Sequence, residues 1–479
     1  MSNRRDISCA IALLLMLPHS VLATTRHVPT DYPTIQHAIS LSADGDTVLV
    51  LQGVYQEHLT LVSRGIVVRS QSGPAVTTID ATGQSSSVVY FSDCDELTHL
   101  DGFTLRGGTG TIGGGQYNDG GGIFIPDSRG QGPTIENNVI TYNTGRLGGG
   151  LYLKDSARVI HNQISFNSAI YEGGGLKGEM PLDAKVPLII TDNEVFSNRV
   201  VADGDTRVGG GLYAAGYTYI ARNIVACNEA DHVAGVFWAT GDRGLTMERN
   251  TILGNWGRHG VGGVYFNMWQ TGLPIGVVAN VVVFNFGGGV KCTLAGGWRI
   301  DALCNDIHGN NPDFVDDNCR DTFMGNGNVS VDPLFGQSSG CPPAEGDLCL
   351  SPESPLLPEH SPPGCGLIGA RGRCLPSAVG DVSPDLIGTL RALPARPNPF
   401  FERTAIAFYL PEPGEAEISI YGVLGRKVRT LTVGALPAGE NELEWDGRGD
   451  DGDPAASGAY VAVIQAGDRE VTRVLLLIR

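Results

Sequence analysis

One short pattern, Asn-x-Ile/Val-x-x-Asn, limits the fold of this chain more than any other feature. It occurs at Asn138-Ile140-Asn143, Asn162-Ile164-Asn167, Asn193-Val195-Asn198, Asn223-Val225-Asn228, Asn250-Ile252-Asn255, Asn280-Val282-Asn285 and Asn305-Ile307-Asn310. Successive starts lie 24, 31, 30, 27, 30 and 25 residues apart. A glycine cluster followed by an aliphatic residue keeps phase with it, at Gly148 to Leu151, Gly173 to Leu176, Gly209 to Leu212, Gly262-Gly263-Val264 and Gly287 to Val290. A repeat of this length, with short strand signals and no helical period, predicts a solenoid of β coils. Stacking the coils about 4.8 Å apart pairs each strand with its counterpart in the next coil. The Ile or Val then forms an inward apolar column. The asparagines take the corners, where left-handed φ is expected and stacked amides can bond along the rod. A leucine-rich repeat needs an L-x-x-L-x-L frame, which is absent, and the calcium-binding nonapeptide repeat needs Asp where apolar residues stand here.

Looser coils continue upstream. Gly102-Phe103-Thr104-Leu105-Arg106-Gly107 occupies the pattern with Gly in place of Asn, and Val48 to Leu51 and Ile66 to Val68 are earlier strands. Thr34 to Leu41 has the spacing of a short amphipathic helix, expected to cover the open end of the first coil. From about 24 to 310 the spacing predicts roughly ten coils, a stack of about 48 Å. The Cys- and Pro-rich stretch 311–375 is expected to close the far end.

Composition agrees with a turn-rich β protein. The chain has 67 Gly in 479 residues, about twice the usual share, and each costs a helix about 1 kcal/mol. No three-residue Gly period exists, which excludes collagen. With 42% apolar and 18% charged residues, wholesale disorder is excluded as well. The formal charge is −18, and only five of the 33 basic residues are Lys. Nucleic acid and anionic membranes are therefore not expected partners.

The first 23 residues have the form of an export signal. Arg4 and Arg5 precede an apolar run from Ile11 to Leu17, and Val21-Leu22-Ala23 supplies a small-residue cleavage site. No stretch is long enough to cross a bilayer once this segment is removed. The expected location is therefore secreted or at the cell surface. Removing Cys9 leaves nine cysteines. Cys304, Cys319, Cys341, Cys349, Cys365 and Cys374 cluster, with fifteen pairings open; Cys94, Cys227 and Cys292 lie apart, and at least one thiol is expected to stay free.

Residues 24–375 are thus assigned to the coils with their closing segment and 376–394 to a linker. Residues 395–479 change texture. Ala405 to Leu410, Ala416 to Tyr421, Val428 to Val433, Asn441 to Trp445, Ala459 to Gln465 and Val471 to Ile478 alternate like the strands of a small β-sandwich. The fold class expected is all-β, a right-handed parallel β-helix followed by an immunoglobulin-like domain.

Two resemblances follow from particular motifs. His27-Val28-Pro29-Thr30-Asp31-Tyr32-Pro33-Thr34-Ile35-Gln36, then Gly45-Asp46-Thr47-Val48, Gly53-Val54-Tyr55 and Glu57, resembles the opening of right-handed β-helix proteins of the pectin-lyase-like superfamily, which pectin methylesterases share. The resemblance implies the fold and leaves the activity open, since lyases, hydrolases, esterases, adhesins and proteins without known activity share it. The Asp and Arg motifs of the methylesterases are not matched. Pro397-Asn398-Pro399-Phe400, Thr404, Gly414, Ile420-Tyr421, Gly425-Arg426, Trp445-Asp446-Gly447-Arg448, Gly452, Ala456-Ser457-Gly458 and Tyr460 resemble the immunoglobulin-like domain of flagellar hook-capping proteins and of type IX secretion sorting domains. The sandwich lacks a second Asn-Pro after Phe401. This resemblance implies a bacterial secretion machinery as partner and a sorting or anchoring role.

The candidate site comes from aligning the coils on their glycines. The position after the aliphatic residue, expected to point outward, is Tyr152, Lys177, Tyr213, Phe237, Tyr265 and Lys291 in turn. The preceding corner carries Arg146, Tyr171, Arg207, Asp231 and His259. Trp238, Trp256, Trp269 and Trp298 fall in the later coils. Such an aromatic strip with cationic borders suits stacking against sugar rings, so Trp269 and the six outward residues are the predicted ligand-binding set. Arg207, Asp231, His232, Arg243 and His259 are the candidates for acid–base or electrostatic roles if the chain is catalytic. No metal site and no cofactor are predicted. Calcium is the ion that the acidic clusters Asp203-Asp205 and Asp313, Asp316, Asp317 raise, and neither cluster offers three stackable carboxylates. Asp446 to Asp453 has the form of a hairpin turn. The expected function is a non-catalytic glycan-binding or structural surface module. The alternative is a polysaccharide lyase or glycoside hydrolase working in the aromatic groove.

Overall fold

A computed structural model describes residues 23–477 apart from 113–117, 182, 203–206, 240–243, 269–274, 295–298, 336–347, 375–389, 393–399, 401–402, 411, 423–425, 457 and 468. The chain divides into two units, Met1–Cys374 and Leu375–Arg479. Residues 1–22 of the 1–23 segment expected to be an export signal, together with Asp203, Asp205, Arg243, Trp269, Trp298, Cys341 and most of the 376–394 segment, lie outside the described residues.

The first unit is a parallel β-solenoid with three faces. Face one has eleven strands, from Thr25–Val28 to Ile300–Leu303, and face two has ten, from Gly53–Tyr55 to Asp306–His308. Face three has nine, from Leu59–Val62 to Val290–Leu294, and a corner strip of five runs from Thr144–Leu147 to Trp256–Gly257. Only turns that supply all three faces are complete, so the solenoid has about nine turns rather than ten.

The repeated aliphatic position forms one inward column on face two. Ile140, Ile164, Val195, Val225, Ile252, Val282 and Ile307 pair in register, rung by rung, and all are buried. Ile135, Val159, Ile190, Ile220, Met247 and Val277 do the same on face one.

The asparagines divide the corner work differently from expectation. The left-handed residue is the one before each Asn: Asn137, His161, Asp192, Arg222, Arg249, Ala279 and Cys304 at the first corner have φ between 51° and 60°. Tyr142, Phe166, Ser197, Cys227 and Phe284 repeat this at the second corner. The Asn itself turns its amide inward. At Asn193 the Nδ2 donates to Asn223 Oδ1 (3.0 Å), Val159 O (2.8 Å) and Thr191 O (2.9 Å), while Asn193 Oδ1 accepts from the backbone N–H and Nδ2 of Asn162. This linkage runs unbroken from Asn138 to Asn328. A second ladder runs from Asn143 to Asn310, where Asp313 terminates it. From Asn138 to Asn305 and from Asn143 to Asn285 every amide is buried and satisfied, which a polar atom inside a rod requires. The same offset corrects the upstream coil. Gly102 (φ 81°) matches Asn137, and Phe103 stands where Asn138 does. Gly is selected there for its φ, with no amide involved.

The glycine clusters have a steric cause. A Cβ on Gly174 would lie 2.4 Å from the carbonyl oxygen of Gly210 on the next rung, so backbones pass there too closely for any side chain.

Both ends of the solenoid are covered. A short helix, Ile35–Ser40, is capped by Thr34 and packs Ile35, Ala38 and Ile39 over the first coil. At the far end the helix Asp317–Thr322 seats Cys319 and Phe323 in the main core. The following segment does more than close that end, as it turns back along the outside of face two. Leu350, Leu356, Leu357 and Ile368 cover Ala279, Val281 and Val283. Ala370 N donates to Thr251 Oγ1 at 3.0 Å, and Arg371 pairs with Glu194. Cys292–Cys319, Cys304–Cys365 and Cys349–Cys374 staple this arrangement. Cys227 is also disulfide-bonded, and Cys94 is free and buried. Cys292, distant in sequence from the cluster, is thus one of its partners.

The second unit is an antiparallel sandwich. One sheet joins Arg391–Ala392, Thr404–Leu410 and Gly439–Trp445; the other joins Lys427–Leu436, Gly414–Gly422, Gly458–Ala466 and Arg469–Leu477. Trp445 is fully buried between Phe400 and Tyr460, with its Nε1 donating to Arg448 O at 2.9 Å. Among the described residues, no helix is long and apolar enough to cross a membrane.

Candidate functional site

Two-residue alternation places one file of side chains on the outside of face three. Tyr90, Phe124, Tyr152, Lys177, Tyr213, Phe237, Tyr265 and Lys291 are register partners on consecutive rungs. The file is less open than the alternation implied. Tyr152, Lys177, Phe237 and Tyr265 expose only 4%, 4%, 7% and 9%, while Tyr213 and Lys291 are half-buried. Rungs stand close enough for the rings to cover one another. Phe124 stacks on Tyr152 (5.5 Å), Phe237 packs against both Tyr213 (5.1 Å) and Tyr265 (5.4 Å), and Lys177 Nζ lies over Tyr152 (5.3 Å) and Tyr213 (4.7 Å). Stacking between rungs therefore uses most of the ring area that a ligand would need.

The charge of Lys177 is met locally, by Glu172 at 2.6 Å and Glu179 at 3.4 Å. Tyr152 Oη donates to Glu179 at 2.9 Å. Burial works to raise the Glu179 carboxyl, but Lys177 and the Tyr152 hydroxyl outweigh it and hold it below the ordinary range. Burial, reinforced by Glu179, pushes the Tyr152 hydroxyl far up; burial with Glu172 and Glu179 does the same at Tyr213. Both tyrosines are thus neutral hydrogen-bonding groups at physiological pH.

The corner before face three pairs vertically. Arg146 forks onto Asp119 with two 3.0 Å bonds, Arg207 lies over the Tyr171 ring at 4.1 Å, and His259 Nδ1 stands 2.6 Å from Asp231. His232 meets the edge of Tyr265 at 6.2 Å, Lys291 lies over the same ring at 4.9 Å, and Tyr265 Oη shares a hydrogen bond with Thr293 at 2.8 Å. The structure therefore gathers Arg207, Asp231, His232 and His259 on one corner beside the file. Trp238, counted with the surface aromatics, is fully buried in the core between rungs carrying Ala214 and Phe266.

The acidic cluster at the far end is structural. Asp316 accepts from the backbone N–H of Cys319 and Cys292, Asp313 closes the second Asn ladder, and Asp317 pairs with Arg320. Among the described residues, no group of three His, Cys, Asp or Glu side chains is placed to hold a metal ion.

One pair of surface residues was not singled out by the glycine alignment. Trp256 and Phe286 are 54% and 60% exposed on adjacent rungs of the corner strip. Each follows the second Asn of its repeat (Asn255, Asn285). Aligning on the asparagines rather than on the glycines would have found them.

Comparison with known proteins identifies the C-terminal part of the chain. Residues 399–470 match the FlgD Ig-like domain. No curated protein matches the chain. Among solved structures, dimeric latent PorU from Porphyromonas gingivalis is similar at 20% identity and a TM-score of 0.17, over 21% of this chain and 10% of that one. Full-length tailspike protein 2 from Escherichia coli O157:H7 bacteriophage CAB120 is similar at 9% identity and a TM-score of 0.18, over 92% of this chain and 65% of that one. The chain thus spans a tenth and about two thirds of these two structures. Its C-terminal residues form a FlgD-type immunoglobulin-like domain, and its first unit is a parallel β-solenoid of about nine turns.

Proposed function

We infer that the protein is an exported, non-catalytic surface module whose solenoid binds glycan along face three and its adjoining corner. The C-terminal immunoglobulin-like unit serves as its sorting or anchoring domain. One observation carries this reading: the in-register file from Tyr152 to Lys291 is flanked by Arg207, His232 and His259. Half-buried Tyr213 and Lys291 offer the accessible ring and cation, and the buried members make the file rigid. Rigidity lowers the ordering cost of binding. A lyase role for Lys177 is not favoured, because Glu172 and Glu179 hold its ammonium in a local ion cluster.

The test is incubation of the full chain with an array of neutral and uronate polysaccharides, reading retained glycan, new reducing ends and unsaturated product. Retention without product, reduced several-fold by Tyr213→Ala, is the expected result. Release of either product would refute the non-catalytic reading, and failure to retain any glycan would refute the binding reading.

A further inference from the structure

The corner strip carries a second surface with a chemistry of its own. The file that follows the second Asn is polar on earlier rungs: Ser168, Arg199 and Glu229 stand in register, and the next two partners are Trp256 and Phe286. The two aromatics adjoin each other in that file, whereas the exposed aliphatics Ile170 and Val201 stand two residues further on, on earlier rungs. Trp256 and Phe286 lie one rung apart, about 4.8 Å, and each exposes more than half its area. The guanidinium of Arg258 sits 5.9 Å from the Trp256 ring and is ion-paired with Glu229. Both partners remain partly exposed at the edge of the patch.

An apolar ring surface with a polar rim is what a pyranose requires, because a sugar presents axial C–H groups on one face and hydroxyls around its edge. The repeat of an extended pyranose chain is close to the rung spacing, so consecutive sugars would meet Trp256 and then Phe286. Charge selects among sugars. Glu229 already balances Arg258, and the chain carries a net −18, so a polyanion is repelled. Two side chains are also far smaller than the roughly 800 Å² per partner of a stable protein interface. We propose that Trp256 and Phe286 form a platform for two consecutive units of a neutral polysaccharide, with Arg258 and Glu229 hydrogen-bonding their hydroxyls. This rests on the glycan-binding reading and names the sugar class and the contact residues.

The test is isothermal titration of the full chain with cellohexaose, mannohexaose and, as anionic comparator, hexagalacturonate. It uses the wild type, Trp256→Phe, and the double variant Trp256→Ala with Phe286→Ala. Both positions are exposed, so thermal melting should not change. A neutral hexasaccharide should bind, with affinity lost about ten-fold or more in the double variant and mostly kept in Trp256→Phe. If the wild type binds a neutral hexasaccharide and the double variant binds it equally well, the platform is refuted while the glycan reading stands. If hexagalacturonate binds as tightly as the neutral sugars, the charge argument fails. If the wild type binds none of these and no glycan on the array, both readings fall. Self-association of the wild type that the double variant abolishes, without sugar binding, would assign the patch to a second copy of the chain and overturn the proposal.

Discussion

At the second Asn corner, Ser197 and Asn198 separate two causes that a sequence pattern merges. Ser197 carries the left-handed backbone (φ 54°), and Asn198 carries the hydrogen bonds. Truncating Asn198 to Ala removes an amide that donates to Ile164 O (2.8 Å), Phe196 O (3.1 Å) and Asn228 Oδ1 (3.1 Å). It also removes the oxygen that accepts from Asn167 N and Nδ2, both at 3.0 Å. Asn167, Asn198 and Asn228 are fully buried, so water cannot replace these partners. A buried polar group left unmet costs about 1–3 kcal/mol. With the Asn167 N–H stranded and two carbonyls weakened, the expected loss is about 4 kcal/mol. Ser197→Gly should act the other way. Left-handed φ costs an ordinary residue about 1–2 kcal/mol, and glycine returns about 0.5–1 kcal/mol of that as unfolded-state entropy, leaving a gain of up to about 1 kcal/mol. Hydrogen exchange on the full chain is the suitable assay, because a solenoid opens rung by rung and one melting curve averages over rungs. Protection should fall on the rungs around Asn167, Asn198 and Asn228 in Asn198→Ala and hold or rise in Ser197→Gly. The reverse order, with Ser197→Gly the more damaging, would refute the assignment of roles.

Two further outcomes follow from buried charge. Asp306 is fully buried, and burial, aided by Asp313 and Asp332 against one bond from Val331 N, pushes its carboxyl up to about 7. The folded state then keeps a proton that the unfolded chain has released, so stability declines as pH rises from about 4 to about 7 and is level above. Asp306→Asn should therefore melt higher than wild type at pH 8, by a margin on the order of 4 kcal/mol, and close to it at pH 4; a margin independent of pH would contradict this. Lys177→Met leaves Glu172 and Glu179 without their shared cation. Their side chains are 25% and 46% exposed, so solvent screens part of the charge, and the loss should be about 2 kcal/mol rather than the larger figure for a fully buried pair. The loss should shrink as pH falls and the Glu179 carboxyl, held low by Lys177, takes up its proton, and equal melting of variant and wild type at pH 7 would show that the ion cluster adds nothing.

Legibility differed between residues for physical reasons. The inward Ile and Val column could be read directly because a parallel ladder repeats the same contact on every rung, and Ile164, Val195 and Val225 indeed pair in register. The short capping helix was legible too, since Thr34 and the spacing of Ile35, Ala38 and Ile39 are local signals. The exposure of the aromatic file was not. Alternation tells which side of a strand Phe237 leaves from, whereas its 7% exposure depends on Tyr213 and Tyr265 one rung away on either side. Trp238 and Trp256 show the same limit, one fully buried and one 54% exposed.

The Asn repeat thus specified a stacked β rod with two Asn ladders, and the strand alternation after residue 395 specified a separate C-terminal sandwich, because those features arise from short-range periodicity. The return of residues 348–374 over face two, the pairing of Cys292 with Cys319, and the choice of which aromatics face water were decided by packing. They depend on groups brought together across many rungs, and no local spacing records how far a closing segment travels before it finds an apolar face to cover.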